Sequence, residues 1–481
     1  MAASRFLAPY FGTSSVVWAN VIGVILLALA LGYTAGGRLA DRFPNRQLFF
    51  SLGGVGAMIL ALLPFAGSLV LKGLSAGLLQ TSGGLIVATF LASLLLFGFP
   101  VFFFACLSPF AVRLLSQEVS VVGARSGALS FWSTLGSILG IYVTSLYLVP
   151  VVGVRESIWI FSALLFFPSV AFLPKKIPVL TAFVLVFTTS FILVPPAKSY
   201  AAGQILHEQE STYQFLRVVE NAEGTRLLTF NEGQGVQSMY NPRRVWTGAY
   251  YDYAAPLPLL KRFSGKKELS ILVLGYAGGT LGKILRASAP KDMQITIDAV
   301  EIDPVVTELS KQYFGVRDDE RTMYTMDGRS FLQQSKKQYD LIFIDAYSQE
   351  IYIPPHMLST EFFSEVAAHL TPEGLAAFNI NVVSNEGKLF QSAIATVRSA
   401  GLSVYDMAVP GSYNHWILAS KQDFVAEFAP VTEDPLRNLV EYFSTNLHEV
   451  FAPSFVAPLT DNRSPVELFI HEEILRGMWG K

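Results

Sequence analysis

The 481-residue sequence predicts a multispanning α-helical membrane domain followed by a small antiparallel β-domain and a Rossmann-like α/β domain. Three observations carry this reading. Only 15% of residues are charged and 52% are hydrophobic, with the charges gathered after about Pro196, whereas an ordinary soluble domain is about 25% charged. The first part holds apolar segments long enough to cross a bilayer. The second holds ILVLGYAGGTLGKILRASAPKDMQITIDAVEID at 271–303, which reads as strand, glycine turn, helix, strand and acid. In a doubly wound sheet, ligands sit beyond the carboxyl ends of such strands.

Apolar segments at about 14–36, 48–66, 84–106, 127–149, 156–173 and 178–196 predict six spans. The 67–83 stretch is apolar but rich in Gly and Ser and contains Lys72, so it reads as a loop, a re-entrant piece or a short seventh span. The amino terminus reads as a retained span, not a secretory signal: Arg5 stands alone, Pro9 interrupts the first turns, and the run from Val16 is too long. By the positive-inside rule, Arg38, Arg42 and Arg46 set the first loop in the cytoplasm, as do Arg113 with Arg125 and Lys175 with Lys176 for two later loops. Six spans then leave the following domain outside, and an odd number brings it inside. Gly23, Gly32, Gly36, Ser133, Gly136, Ser137 and Gly140 allow close helix packing. The spans carry almost no mid-membrane charge, which favours an anchor, or access to a lipid-side acceptor, over a transporter.

The expected boundaries are 1–197 for the membrane domain, 198–262 for the β-domain and 263–481 for the α/β domain. Tyr213 to Val219 and Thr225 to Thr229 alternate around an Asn221-Ala222-Glu223-Gly224 turn, a β-hairpin pattern. The 240–261 stretch is aromatic and proline-rich, with Tyr250, Tyr251, Asp252 and Tyr253 adjacent, and suits one wall of a pocket. Further strands are expected at 321–326, ending in Asp327-Gly328, at 339–344, ending in Asp345, at 375–380, and at about 402–409 and 414–420. Helices fill 358–370 and 388–399.

Net charge of -2 gives no basic footprint for nucleic acid. The single cysteine, Cys106, excludes an intramolecular disulfide and argues against a cysteine metal cluster, and no metal-ligand spacing is present. His356 and His415 lie outside any base–nucleophile spacing and read as structural or surface residues. The chemistry rests on Glu301, Asp327 and Asp345, which end three consecutive strands and therefore share one rim. Gly275-Tyr276-Ala277-Gly278-Gly279 departs from the dinucleotide fingerprint, and Glu301 directly after the second strand suits a nucleoside such as S-adenosylmethionine as well as NAD. Glu301 can accept from both ribose hydroxyls, Asp327 from an adenine amino group, and Asp345 can face a sulfonium or an amine acceptor.

These motifs resemble the spermidine synthase (polyamine aminopropyltransferase) family, in the form fused to an amino-terminal multispanning membrane domain. Glu210-Ser211-x-Tyr213-Gln214 resembles its entry hairpin, Asn231-Glu232-Gly233 with Gln237 its Leu-Asp-Gly and Gln element, and Tyr250-Tyr251-Asp252 its Tyr-His-Glu. Gly275 to Gly279 matches its glycine loop, Glu301-Ile302-Asp303 its ribose element, Asp327-Gly328 its base element, and Thr460-Asp461-x-x-Ser464-Pro465-x-Glu467 its closing signature. Gly32-Tyr33-x-x-Gly36-Gly37-Arg38-Leu39-Ala40-Asp41-Arg42 is similar to the end of the first span.

The resemblance implies a methyltransferase-type Rossmann-like domain that uses decarboxylated S-adenosylmethionine or S-adenosylmethionine as cosubstrate, without metal. The donor would be held by Gln237, Gly275, Ala277, Gly278, Gly279, Glu301, Ile302, Asp303, Asp327, Gly328 and Asp345. Asp345, Tyr250, Tyr347 and Asp252 would serve the acceptor, a small amine or a membrane-associated molecule, and a homodimer is left open. The implied location is a multi-pass inner membrane with the carboxyl-terminal domain in the cytoplasm. Two positions depart from the family: Ala277 replaces an Asp expected to hold the donor amine, and Ser348 replaces the second acid of the Asp-x-x-Asp loop. The departures keep methyl transfer and donor-tail cleavage or cyclisation open, alongside a transporter with a regulatory nucleoside-binding domain.

Overall fold

A computed structural model describes residues 2–11, 15–78, 84–116, 122–173, 176–193, 203–231, 235–347 and 352–479. The chain divides into two compact units, Met1–Ser199 with Gln209–Phe215, and Tyr200–Glu208 with Leu216–Lys481.

The first unit is helical: α1 (Ala2–Phe11), α2 (Ser15–Arg42), α3 (Arg46–Leu78), α4 (Gly84–Ser93), α5 (Phe99–Leu115), α6 (Val122–Val143), α7 (Val149–Val152), α8 (Val154–Ala171) and α9 (Lys176–Leu193). π-Helical turns at Leu94–Gly98 and Thr144–Leu148 join α4 to α5 and α6 to α7. Six of the resulting stretches are long and apolar enough to cross a membrane. Residues 67–78 make no separate span but continue α3. Glycine and serine weaken a helix by only about 1 kcal/mol each or less, too little to end one whose apolar face is packed. Residues 79–83 lie outside the described part. Pro9 likewise does not end α1, because a proline in the last turn forfeits a single hydrogen bond.

The small residues divide in use. A Cβ on Gly32 would stand 2.5 Å from the Ala105 Cβ, and one on Gly36 2.5 Å from the Cys106 Cα, so α2 and α5 meet backbone to backbone. Gly23, Gly136 and Gly140 face nothing within 4 Å. Polar side chains inside this unit bond to helix carbonyls, Ser162 Oγ to Ala57 O at 2.7 Å and Trp159 Nε1 to Ala61 O at 3.2 Å.

The antiparallel strands β1 (Gln204–Glu210), β2 (Phe215–Glu220), β3 (Arg226–Phe230) and β4 (Val236–Tyr240), in that spatial order, belong to the second unit apart from Gln209, Glu210 and Phe215. Asn221 Oδ1 accepts from the Glu223 and Thr225 amides and Gly224 takes φ +75°, which closes the β2–β3 turn. Alternate residues Leu216, Val218, Leu228 and Phe230 enter the same core as Leu281, Leu285 and Phe314 of the following domain.

That domain runs β5 (Glu268–Leu274), α10 (Thr280–Ser288), β6 (Gln294–Glu301), α11 (Pro304–Phe314), β7 (Thr322–Thr325), α12 (Gly328–Gln334), β8 (Tyr339–Ile344), α13 (Thr360–His369), β9 (Leu370–Asn381), α14 (Lys388–Ser399), β10 (Ser403–Ala408), β11 (Asn414–Ser420), α15 (Leu436–Asn446), β12 (His448–Glu449) and α16 (Val466–Trp479). The sheet order is β12-β10-β11-β9-β8-β5-β6-β7. β7, β6, β5, β8 and β9 are parallel, and β11 is antiparallel to both β9 and β10, a methyltransferase-like Rossmann arrangement. Both faces are covered: Leu272 and Leu274 enter one core, Ile271 and Val273 the other. That is why this strand reads as an unbroken apolar run, and each such side chain contributes about 1.5–3 kcal/mol on burial. From β5 the chain moves to β6 and β7 on one side and returns to β8 on the other, which opens a crevice at the carboxyl ends of β5 and β8.

Candidate active site

The glycine turn follows from close packing. Gly275 has φ +87°, and a Cβ there would stand 2.4 Å from the Asp345 carbonyl oxygen, so the turns after β5 and β8 touch through backbone. Gly279 has φ +79° and starts α10. Between them Ala277 takes φ +46°, a left-handed conformation that costs an alanine about 1–2 kcal/mol. Its amide donates to Glu301 Oε2 at 3.0 Å, which anchors the strained residue.

Glu301 ends β6 almost fully buried, with its other oxygen accepting from the Asp303 amide at 3.0 Å. Burial pushes its carboxyl up to about 7 despite the pull of these two backbone donors. Each oxygen keeps a lone pair for a ligand hydroxyl. Ile302 beside it is 38% exposed, an apolar surface on the rim. Asp303 turns inward, is fully buried, and caps α11 through the Val305 amide. Gln237 stands on β4, which is stitched to the turn: the Gly278 amide donates to Ser238 Oγ at 2.8 Å and Thr280 Oγ1 to the Met239 carbonyl at 2.9 Å.

Asp327 caps α12 by accepting from the Ser330 amide at 2.9 Å, and its other oxygen lies 2.9 Å from His356 Nε2. The His356 hydrogen bond, helped by Ser330, holds this carboxyl down at about 2. A Cβ on Gly328 would come 3.0 Å from Met357 Cε. Arg329 organises the surroundings: its guanidinium makes two bonds to Asp461, at 2.6 and 2.8 Å, others to Glu365, and one to the His356 carbonyl at 3.0 Å. Ser359 Oγ adds a bond to Asp461 at 2.7 Å. His356, read from sequence as a structural or surface residue, is fixed against Asp327.

Asp345 follows β8 and accepts from two neutral donors, Tyr250 Oη on Oδ2 and Asn379 Nδ2 on Oδ1, both at 2.8 Å. Burial raises its carboxyl above the usual range and the two donors offset part of that. Tyr347 Oη donates to the Asn379 carbonyl at 3.0 Å. Trp416 Nε1 donates to the Tyr250 carbonyl at 3.1 Å, and the Tyr250 and Tyr251 rings lie 4.0 Å apart. Tyr250, Tyr347 and Asp345 are thus brought together. Asp252 is not: its carboxylate accepts from the Thr247 amide and hydroxyl and the Gly248 amide, closing its own turn. Ser348, Glu232 and Gly233 lie outside the described residues. Asn379, Trp416, Arg329 and His356, which hydrogen-bond to or around these residues, were not singled out as candidates from the sequence; a polar Asn in the apolar run of β9 was the one available signal.

The spermine/spermidine synthase domain profile matches residues 250–424. A probable polyamine aminopropyl transferase of Bifidobacterium longum is 30% identical over 315 residues, covering 61% of this chain and 68% of that protein. The polyamine aminopropyltransferase of Vibrio vulnificus is 30% identical over 245 residues, covering 49% of this chain and 78% of its own length. A solved structure of a probable spermidine synthase from Corynebacterium glutamicum aligns with a TM-score of 0.43 at 17% identity, over 55% of this chain and 97% of that one. The strand order defines a domain of the methyltransferase-like Rossmann class, and the family matches make it a transferase. The chain belongs to the spermidine synthase, or polyamine aminopropyltransferase, family.

Proposed function

We propose that this protein is a membrane-bound transferase that moves an alkyl group from S-adenosylmethionine or its decarboxylated form to the nitrogen of a small amine, with aminopropyl transfer as the family reaction. The observation that supports the reading is the backbone contact between Gly275 and Asp345, which brings the turns after β5 and β8 against each other. In this reading Glu301 takes the ribose hydroxyls, Asp327 the adenine amino group, and Ile302 one face of the base. Gly275 to Gly279 and Gln237 line the donor, and Asp303 acts indirectly by fixing α11. The amine nitrogen sits at Asp345 between Tyr250 and Tyr347. Its lone pair attacks the carbon beside the sulfonium; the C–N bond forms, the C–S bond breaks, and its electron pair returns to sulfur as a neutral thioether. The ammonium proton passes to Asp345. Neutralising the sulfonium favours a partly buried site, and the main task left to the protein is alignment.

Ala277 favours a second reading in the same site, methyl transfer or cleavage of the donor tail. A methyl side chain cannot hold the tail ammonium of the decarboxylated donor, and it also spares the carboxylate of the intact donor the repulsion of an acid. Ala277→Asp tests this, because Asp tolerates the left-handed conformation better than Ala. The variant is expected to shift kcat/KM toward the decarboxylated donor by about tenfold or more, from one partly buried charge pair. Methylthioadenosine and adenosylhomocysteine are followed by mass spectrometry, and an unchanged donor ratio would remove position 277 from the tail site.

The six long apolar helices favour insertion in the membrane, and an intracellular nucleoside donor favours a cytoplasmic second unit. With six spans, that side places Arg38, Arg42 and Arg46 away from the cytoplasm, against the positive-inside tendency. Reporter fusions at Lys481 separate the alternatives. The expected result is a fluorescent cytoplasmic fusion and an inactive periplasmic-phosphatase fusion; the reverse pattern would contradict the cytoplasmic assignment.

A further inference from the structure

We infer that Asn379 and Asn414 are positioning residues that present Asp345 to the acceptor amine as a pure hydrogen-bond acceptor, an inference that rests on the reading of Asp345 as the acceptor-side acid. An Asn amide can offer either its oxygen or its NH2 to a neighbour. For Asn379 the choice is imposed from behind: Asn414 Nδ2 donates to Asn379 Oδ1 at 3.0 Å, so the Asn379 NH2 is the end left to meet Asp345 Oδ1 at 2.8 Å. The two amides are diagonal neighbours across the β9–β11 ladder, where Asn379 pairs with Trp416 and Asn381 with Asn414. Asn379 is 1% exposed, so a reversed amide would find no water to satisfy it.

The result is a one-way chain of donors, Asn414 to Asn379 to Asp345, closed from the other side by Tyr250 Oη at 2.8 Å. Both side-chain partners of Asp345 among the described residues are neutral, and the titratable groups facing it there include Tyr347, bonded to the Asn379 carbonyl, and Tyr251, whose ring is tilted 33° to that of Tyr250. Burial alone would keep Asp345 protonated to higher pH, and the donated bonds oppose this. A protonated Asp345 can neither take the ammonium proton nor hold the amine by its lone pairs. Losing the Asn379 donor therefore moves the acid limb of activity upward in pH.

Two variants test the chain in the full-length protein, with kcat/KM for the amine measured from pH 5.5 to 9 at donor concentrations that saturate at every pH, so that Glu301 does not set the acid limb. Asn379→Leu removes the donor. Asn414→Asp keeps volume but sets an acceptor opposite Asn379 Oδ1, turning the amide so that its oxygen meets Asp345. Both acid limbs are expected to move up by about one pH unit, with kcat/KM near pH 7 down about tenfold, as for one hydrogen bond to a buried charge, and donor affinity unchanged. Asn414 is partly exposed, so Asn414→Asp still folds if Asn379→Leu does not. Acid limbs coincident with wild type, or donor affinity falling in step with turnover, would overturn the inference. Asp345→Asn, run alongside, reports on the underlying reading: wild-type turnover there removes Asp345 from the acceptor site, whereas its loss beside unmoved acid limbs in the Asn variants removes only their positioning role.

Discussion

Glu301→Gln is expected to lower donor affinity by about 100- to 1000-fold, the loss of charge assistance to two hydroxyl hydrogen bonds. It should also flatten the pH dependence of binding. In the wild type Glu301 titrates near 7 before the donor binds, so affinity should be full above that pH and fall about tenfold per unit below it. The same residue shapes stability. Its folded value lies above the unfolded one, so its favourable contribution is fully present below the unfolded value near 4.5 and is lost as pH rises through about 7. At pH 8 the ionised Glu301 is thus a liability of the unliganded fold, with an upper bound of about 3–4 kcal/mol. Calorimetric titration together with thermal melts at pH 5.5 and 8 checks both. Glu301→Gln turns its NH2 against the Ala277 or the Asp303 amide, so it is expected to melt below wild type at pH 5.5, to lose the wild-type fall in melting temperature between pH 5.5 and 8, and to show little donor-induced rise. A pH-dependent donor affinity retained in the variant would remove Glu301 from the ribose site.

Asp345→Asn should do the opposite, leaving donor affinity within about threefold while lowering kcat by about 100- to 10,000-fold, the range for loss of a positioned proton acceptor. An amide in that place still fills the space but cannot take the proton. It also turns an NH2 toward the Tyr250 hydroxyl or the Asn379 amide, both of which donate to the carboxylate. Rapid-quench measurement of the first turnover isolates the chemical step. A variant with wild-type single-turnover rate would place proton acceptance elsewhere.

Much of this architecture was legible because burial on both faces of a parallel sheet leaves continuous apolar runs, and because acids after such runs fall on one edge. The runs of β5, β6 and β8, with Glu301 ending β6 and Asp327 and Asp345 following β7 and β8, needed only that rule. Side-chain direction was not legible. Asp252, next to Tyr250, is occupied by Thr247 and Gly248, and Asp303, two residues after Glu301, caps a helix, because a short acid finds the nearest free amides first. Nor were long-range partners. Asn379 is 34 residues from Asp345, and Asp461 is 132 from Arg329. Such pairs depend on strand order and on the return of the chain after β12, which local pattern does not encode. The extension of α3 through 67–78 escaped notice for a related reason, since composition marks candidate breaks while packing decides whether they occur.

The central claim is that one crevice joins a donor held at Glu301 to an amine held at Asp345. A single-turnover reaction of the full-length protein with donor labelled in the transferable group, in the presence of a small amine, tests it most directly. The account predicts one equivalent of label on the amine nitrogen per equivalent of thioether nucleoside released, and in Asp345→Asn a bound donor that keeps its label. Label retained on bound donor in the wild-type protein, with both the intact and the decarboxylated forms and across a panel of amines, would contradict it.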